Sequence, residues 1–289
     1  MSVKKSVEPH QRAILRVIGF TTVVEVLAIL SAFDLLNLTP VNLGSIVSTT
    51  PASGIWSSAL TVTGYIIAII VASTAVMVLR HKRRMIIWAF GAFTMIATFM
   101  VILIFTANYL GVYSLVPAIG GAGYVWWVIH SRKHSLVISV IISVGIGTLW
   151  AIAEPFYVVL MFPGALALYD LYAVFKGPLK TLVTDAHIPS AEVRRTQTED
   201  EARKTYSFID VSATRISGLY LGFGDTVIYA MMTVFAFVYF GILTAVVMVY
   251  ALNIGVALTL TLLRKRGGAL PALPISVLFG FIVLFIMWL

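Results

Sequence analysis

The stretch ISGLYLGFGDTVIYAMMTVFAFV, residues 216–238, is apolar throughout except for one acid, Asp225. A run of this kind crosses the roughly 30 Å hydrocarbon core of a bilayer as a helix, which takes about 20 residues. Outward from it the same reading repeats. Nine apolar segments follow from the sequence, at 13–36, 55–79, 85–108, 112–130, 135–152, 155–175, 216–238, 240–263 and 271–288. The chain is 60% hydrophobic and 11% charged, against about 25% charged in a soluble domain. Such a composition cannot cover its apolar side chains with polar surface. The sequence therefore predicts an all-α, multi-pass membrane protein of about nine transmembrane helices.

Basic residues fix the expected orientation. Lys4, Lys5, Arg12 and Arg16 open the first segment, Arg80 and Lys82 to Arg84 separate the second from the third, and Arg132 and Lys133 the fourth from the fifth. Lys176, Lys180, Arg194, Arg195, Arg203, Lys204 and Arg215 follow the sixth segment, and Arg264 to Arg266 precede the ninth. With nine spans all 20 Lys and Arg fall on one side. By the positive-inside rule that side is cytoplasmic, with the amino terminus inside and the carboxyl terminus outside. The net charge of +8 then reflects topology, and no nucleic-acid partner is expected. The long polar interval at about 176–215, with RRTQTEDEARK at 194–204, reads as a solvated cytoplasmic loop. No cleavable signal is seen, since the first apolar run carries Glu25 and Asp34. The expected organisation is a scaffold of helices one to five over 1–152 and a functional half, helices six to nine, over 153–289.

With no cysteine, thiolate metal sites and cysteine nucleophiles are excluded, and none of the five His has a partner at metal-ligand spacing. No metal and no cofactor are expected. The acids carry the chemistry instead, because an ionisable group inside a bilayer costs about 2.5–3.5 kcal/mol on insertion scales. Asp34 and Glu154 lie near segment ends, and Glu25 reads as a packed structural residue. Asp170, in Ala-Leu-Tyr169-Asp170-Leu, and Asp225, in Leu-Gly222-Phe223-Gly224-Asp225-Thr, remain in consecutive spans. Gly222 and Gly224 strip bulk from the approach to Asp225, so a neighbouring helix or an extended substrate backbone can come close. Counted along ideal helices, Asp170 lies roughly 9 Å and Asp225 roughly 15 Å from the nearest basic residue on the cytoplasmic side.

Tyr169-Asp170 in one span, Gly222-Phe223-Gly224-Asp225 in the next and Pro271-Ala272-Leu273 at the last resemble the presenilin and signal peptide peptidase family of intramembrane aspartyl proteases. The number and order of spans fit as well. Phe223 departs from the leucine of animal presenilins at a position that influences substrate preference in the family. The resemblance implies Asp170 and Asp225 as catalytic acids, with Tyr169, Gly222, Phe223 and Gly224 as motif support. It implies that Pro271, Ala272 and Leu273 position the substrate, whose scissile bond lies within a transmembrane helix. Pro271 and Pro274 oppose regular helix, so an extended stretch at 271–273 is expected to offer backbone partners to an unwound substrate. Ser212, Thr214 and Ser217 are candidates to line a water path. The chain lacks a large extramembrane region for recruitment, so no accessory subunit is expected.

Two other readings use the same acids. Prepilin and preflagellin peptidases pair an Asp with Gly-x-Gly-Asp, but usually follow it with a basic residue, where this chain has Thr226-Val227-Ile228. A proton- or cation-coupled transporter would use Asp170 and Asp225 to bind the coupling ion. It gains no support from internal repeats, of which none is apparent.

Overall fold

The computed structural model describes residues 8–38, 54–78, 82–131, 136–175, 213–216, 219–266 and 271–289. Among these, nine α-helices follow in chain order. They are α1 (Glu8–Leu38), α2 (Ile55–Val78), α3 (Arg83–Leu110), α4 (Leu115–His130), α5 (Leu136–Ala153), α6 (Phe156–Phe175), α7 (Phe223–Phe240), α8 (Ile242–Arg266) and α9 (Leu273–Trp288). Before α7 comes an antiparallel pair of strands, β1 (Ala213–Ile216) and β2 (Leu219–Gly222). Eight of the helices are long and apolar enough to span a membrane. The protein is an integral, multi-pass membrane protein. The ninth helix, α9, has 16 residues, about 24 Å at 1.5 Å per residue. It cannot by itself reach both faces of a core about 30 Å thick.

Lipid supplies no hydrophobic force to drive helices together, so close contact depends on shape and on small residues. The helix at the centre shows this. In α7 every residue from Thr226 to Ala236 is buried, the pattern of a helix enclosed on all sides. It packs against α5, α8 and α1, with α6 and α9 completing the shell. A Cβ on Gly147 of α5 would lie 2.7 Å from the Ala230 Cβ and 2.8 Å from the Val227 carbonyl oxygen. Only glycine lets α5 approach the α7 backbone that closely. Gly241, at φ 87°, makes the tight turn between α7 and α8, a left-handed conformation that glycine adopts without strain. By contrast, α2 touches chiefly α6 and leaves Leu60, Ile67 and Val71 exposed, as a lipid-facing surface should.

The seventh element begins later than its hydropathy predicts. Residues 219–222 are a strand, and the helix starts at Phe223. A Leu-Tyr-Leu run is apolar in either conformation, so hydropathy alone does not separate strand from helix. Asp225 therefore stands in the first turn of α7 and not several turns along a helix. The expected extended stretch at Pro271-Ala272-Leu273 also differs. Ala272 has helical dihedrals, φ −85° and ψ −32°, and caps α9, with Pro274 in its first turn, where proline's missing N–H costs nothing. The polar interval at 176–212, with Ser212, and also Ser217 lie outside the described residues.

Candidate active site

Two helix amino-termini and one helix carboxyl-terminal half meet at the site. Asp225 is the third residue of α7, after Gly222 at the cap position. Its carboxylate accepts a backbone hydrogen bond from Gly222, the return half of a capping box. Glycine at 222 has a local cause: a Cβ there would sit 3.1 Å from Asp225 Oδ2 and crowd the carboxylate. Gly224 is exposed, and a Cβ there would meet nothing within 4 Å. Among the described residues no neighbouring helix uses the space beside Gly224, which leaves an open notch one residue before the acid.

Asp170 sits five residues before the end of α6. Its Oδ2 accepts a hydrogen bond from the Leu273 backbone N–H at 3.3 Å. The first N–H groups of a helix have no partner within it, and Ala272, at the cap of α9, supplies no side-chain hydrogen bond. Asp170, about a hundred residues earlier in the chain, serves as that cap. Each acid thus lies at a helix amino-terminus, where backbone N–H groups and the helix dipole favour negative charge. The two carboxyls are close enough for their charges to interact. Both residues are half-buried, so neither is sealed from its surroundings.

The residues around the pair are braced by hydroxyls. Tyr169 joins α6 to α2 through Ser73, hydroxyl to hydroxyl at 2.7 Å. Thr226, next to Asp225, donates to the Phe223 carbonyl at 2.9 Å and pairs with Ser143 of α5 at 2.5 Å. Tyr229, four residues after Asp225, is buried and reaches the Ala272 carbonyl and Ser276 Oγ, both at 3.3 Å. Pro271 and Leu273 are buried, and Phe223 is half-buried. The sequence motifs contain none of Ser73, Ser143, Tyr229 and Ser276. Helical spacing offered one signal: Tyr229 stands at i+4 from Asp225, on the same face.

The other intramembrane acids have partners of their own. Glu25 is fully buried and accepts from Asn253 Nδ2 at 2.6 Å, while Thr21 donates to Asn253 Oδ1 at 2.5 Å. This ties α1 to α8. Glu154 accepts from Tyr65 at 2.6 Å, and Asp34 from Tyr109. Asp170 and Asp225 differ from all three in interacting with each other.

Residues 185–289 match the sequence model of the Presenilin family. That region includes Asp225 and Pro271 to Leu273 but begins after Asp170. No curated protein matches the chain by sequence. Among solved structures, a presenilin family intramembrane aspartate protease in a C222 crystal form superposes with a TM-score of 0.60 at 16% identity, covering 95% of this chain and 98% of that one. A P2 crystal form of a protein so described gives 0.55 at 17% identity, covering 93% and 96%. The fold is thus shared along nearly the whole chain, and the family's sequence pattern along its carboxyl-terminal part.

Proposed function

We propose, for a chain that is presenilin-like in fold throughout and in sequence over 185–289, that it is an intramembrane aspartyl protease with Asp170 and Asp225 as its catalytic pair. One observation carries the reading. The three motifs, far apart in sequence, converge, with Asp170 bonded to the Leu273 N–H and within electrostatic reach of Asp225.

Amide hydrolysis needs an activated water and a proton for the departing nitrogen. Two carboxyls that share one proton supply both, the ionised one taking a proton from water and the neutral one polarising the carbonyl. Like charges at close range keep the pair from ionising twice, and it titrates as a unit. The substrates are transmembrane helices within the bilayer, unwound locally so that a scissile bond can reach the pair. The open notch at Gly224 supports an approach of substrate backbone beside Asp225. Tyr169, Gly222 and Phe223 hold the acids' surroundings, and Pro271, Ala272 and Leu273 position the substrate. Helices α1 to α5 serve as scaffold, and no accessory subunit is required. A peptidase of the prepilin type or a coupled transporter gives the contact between Asp170 and α9 no role beyond capping that helix.

The test is cleavage of a single-span reporter by the purified protein. The parent is expected to cleave it, and Asp170→Ala and Asp225→Ala to insert and fold without cleaving it. Appreciable turnover by either variant would remove that residue from the pair. Orientation has its own test. A reporter domain after Leu289 is expected outside the cytoplasm, and one inserted near Gln197 inside. Both on one side would mean an even number of crossings between them.

A further inference from the structure

We infer that Tyr229 is a positioning residue of this site, holding the peptide group whose Leu273 N–H meets Asp170. The inference rests on the proposed protease reading.

The Ala272 carbonyl and the Leu273 N–H belong to one planar peptide unit. On one edge of that unit the Ala272 oxygen lies 3.3 Å from the Tyr229 hydroxyl. On the other edge the Leu273 nitrogen lies 3.3 Å from Asp170 Oδ2. Because the unit is rigid, rotating it to lose one bond loses the other. Tyr229 shares α7 with Asp225, one turn further on. The peptide therefore links the helix that carries one acid to the carboxylate of the other. A hydrogen bond to the carbonyl also polarises the unit and strengthens its N–H as a donor.

A buried tyrosine in a packed helix is ordinarily core. Here the hydroxyl makes the difference. Tyr229 is 1% exposed, and a hydroxyl in such a place needs a hydrogen-bond partner, because burying it unsatisfied is unfavourable. Its partners are Ala272 and Ser276, and Ser276 itself lies 3.5 Å from the same carbonyl. A carbonyl oxygen has two lone pairs, so the Ala272 oxygen can serve the first turn of α9 and Tyr229 together. The other tyrosine of the helix, Tyr239, is 39% exposed and makes ring contacts with Phe156 and Phe235. It provides a matched control.

The experiment uses the full-length purified protein with Tyr229→Phe, Ser276→Ala and Tyr239→Phe. Each is measured for kcat and KM on the single-span reporter, for affinity toward a diol mimic of the tetrahedral intermediate, and for melting temperature. Tyr229→Phe keeps the ring and removes the hydroxyl. It is expected to lower kcat by roughly three- to tenfold, the range one neutral hydrogen bond spans. KM and melting temperature should stay near the parent's while diol affinity falls with kcat. Ser276→Ala, which leaves the Tyr229–Ala272 bond in place, should lose less, and Tyr239→Phe nothing. Parental kcat in Tyr229→Phe would overturn the inference. So would a loss matched by lower melting temperature or by failure to fold, which would make Tyr229 a packing residue. A greater loss in Ser276→Ala would also count against it. A parent that does not cleave, or Asp170 and Asp225 variants that do, would instead refute the protease reading beneath it.

Discussion

Asp170→Asn and Asp225→Asn are each expected to give an inserted, folded protein that no longer cleaves its substrate. Asparagine keeps the size of aspartate and an oxygen to accept a hydrogen bond. The amide oxygen in Asp225→Asn would still receive the Gly222 N–H, and that in Asp170→Asn the Leu273 N–H, so the caps of α7 and α9 survive. What asparagine cannot do is exchange a proton at neutral pH. General acid–base work by one positioned group contributes about 10²–10⁴ in rate, and the two acids act as a unit, so either loss should cost at least that much. Melting temperature should hold, or rise where charge repulsion within the pair is relieved. A diol mimic of the tetrahedral intermediate needs both carboxyls and should bind the parent far better than either variant. Retained activity in both variants would leave the acids as structural bridges and return the transporter to consideration.

The second large effect is expected at Gly255→Val, far from Asp170 and Asp225 in sequence. A Cβ on Gly255 of α8 would lie 2.4 Å from the Ser276 Cα and 2.8 Å from its backbone nitrogen. Backbone cannot swing aside as a side-chain tip can, so α9 as a whole must move away. The displaced segment carries Ala272, Leu273 and Ser276, and with them the cap on Asp170 and the bond to Tyr229. Overpacking of this kind typically costs about 1–3 kcal/mol, and here the displaced element is part of the site. Melting temperature and cleavage should fall together. The contrasting variant is Gly123→Ala in α4, where a Cβ meets nothing within 4 Å. It should be neutral or slightly stabilising, as alanine exceeds glycine in helix propensity by up to about 1 kcal/mol. Equal tolerance at Gly255 and Gly123 would contradict the close contact of α8 with α9.

The spans were legible in the sequence because bilayer thickness imposes a length on them. Eight of the nine predicted segments correspond to helices long enough to cross, and the ninth to the shorter α9. Asp170 and Asp225 stood out as candidates because an acid in an apolar run needs a reason, and the Gly-x-Gly before the second sets that pair apart from Glu25, Asp34 and Glu154. The conformation of the segment just before Asp225 was not. Residues 219–222 are as apolar as the helix they precede, and strand pairing is a relation to another segment that hydropathy does not record. The same holds for Ala272 and Leu273, whose cap is an aspartate about a hundred residues away, and for Tyr229, whose bonding partners lie on a different helix. Pairings between distant segments are what the sequence alone leaves unwritten.

The central claim is that the Asp170–Asp225 pair hydrolyses a peptide bond inside a membrane span. Its most direct test is to incubate the purified protein with a single-span reporter in lipid bilayers and map the new termini by mass spectrometry. The predicted result is a cut within the reporter's apolar span, stopped by a diol mimic and absent from the Asp170→Asn and Asp225→Asn proteins. A cut confined to residues outside the span, or one that persists in both Asn proteins, would contradict it.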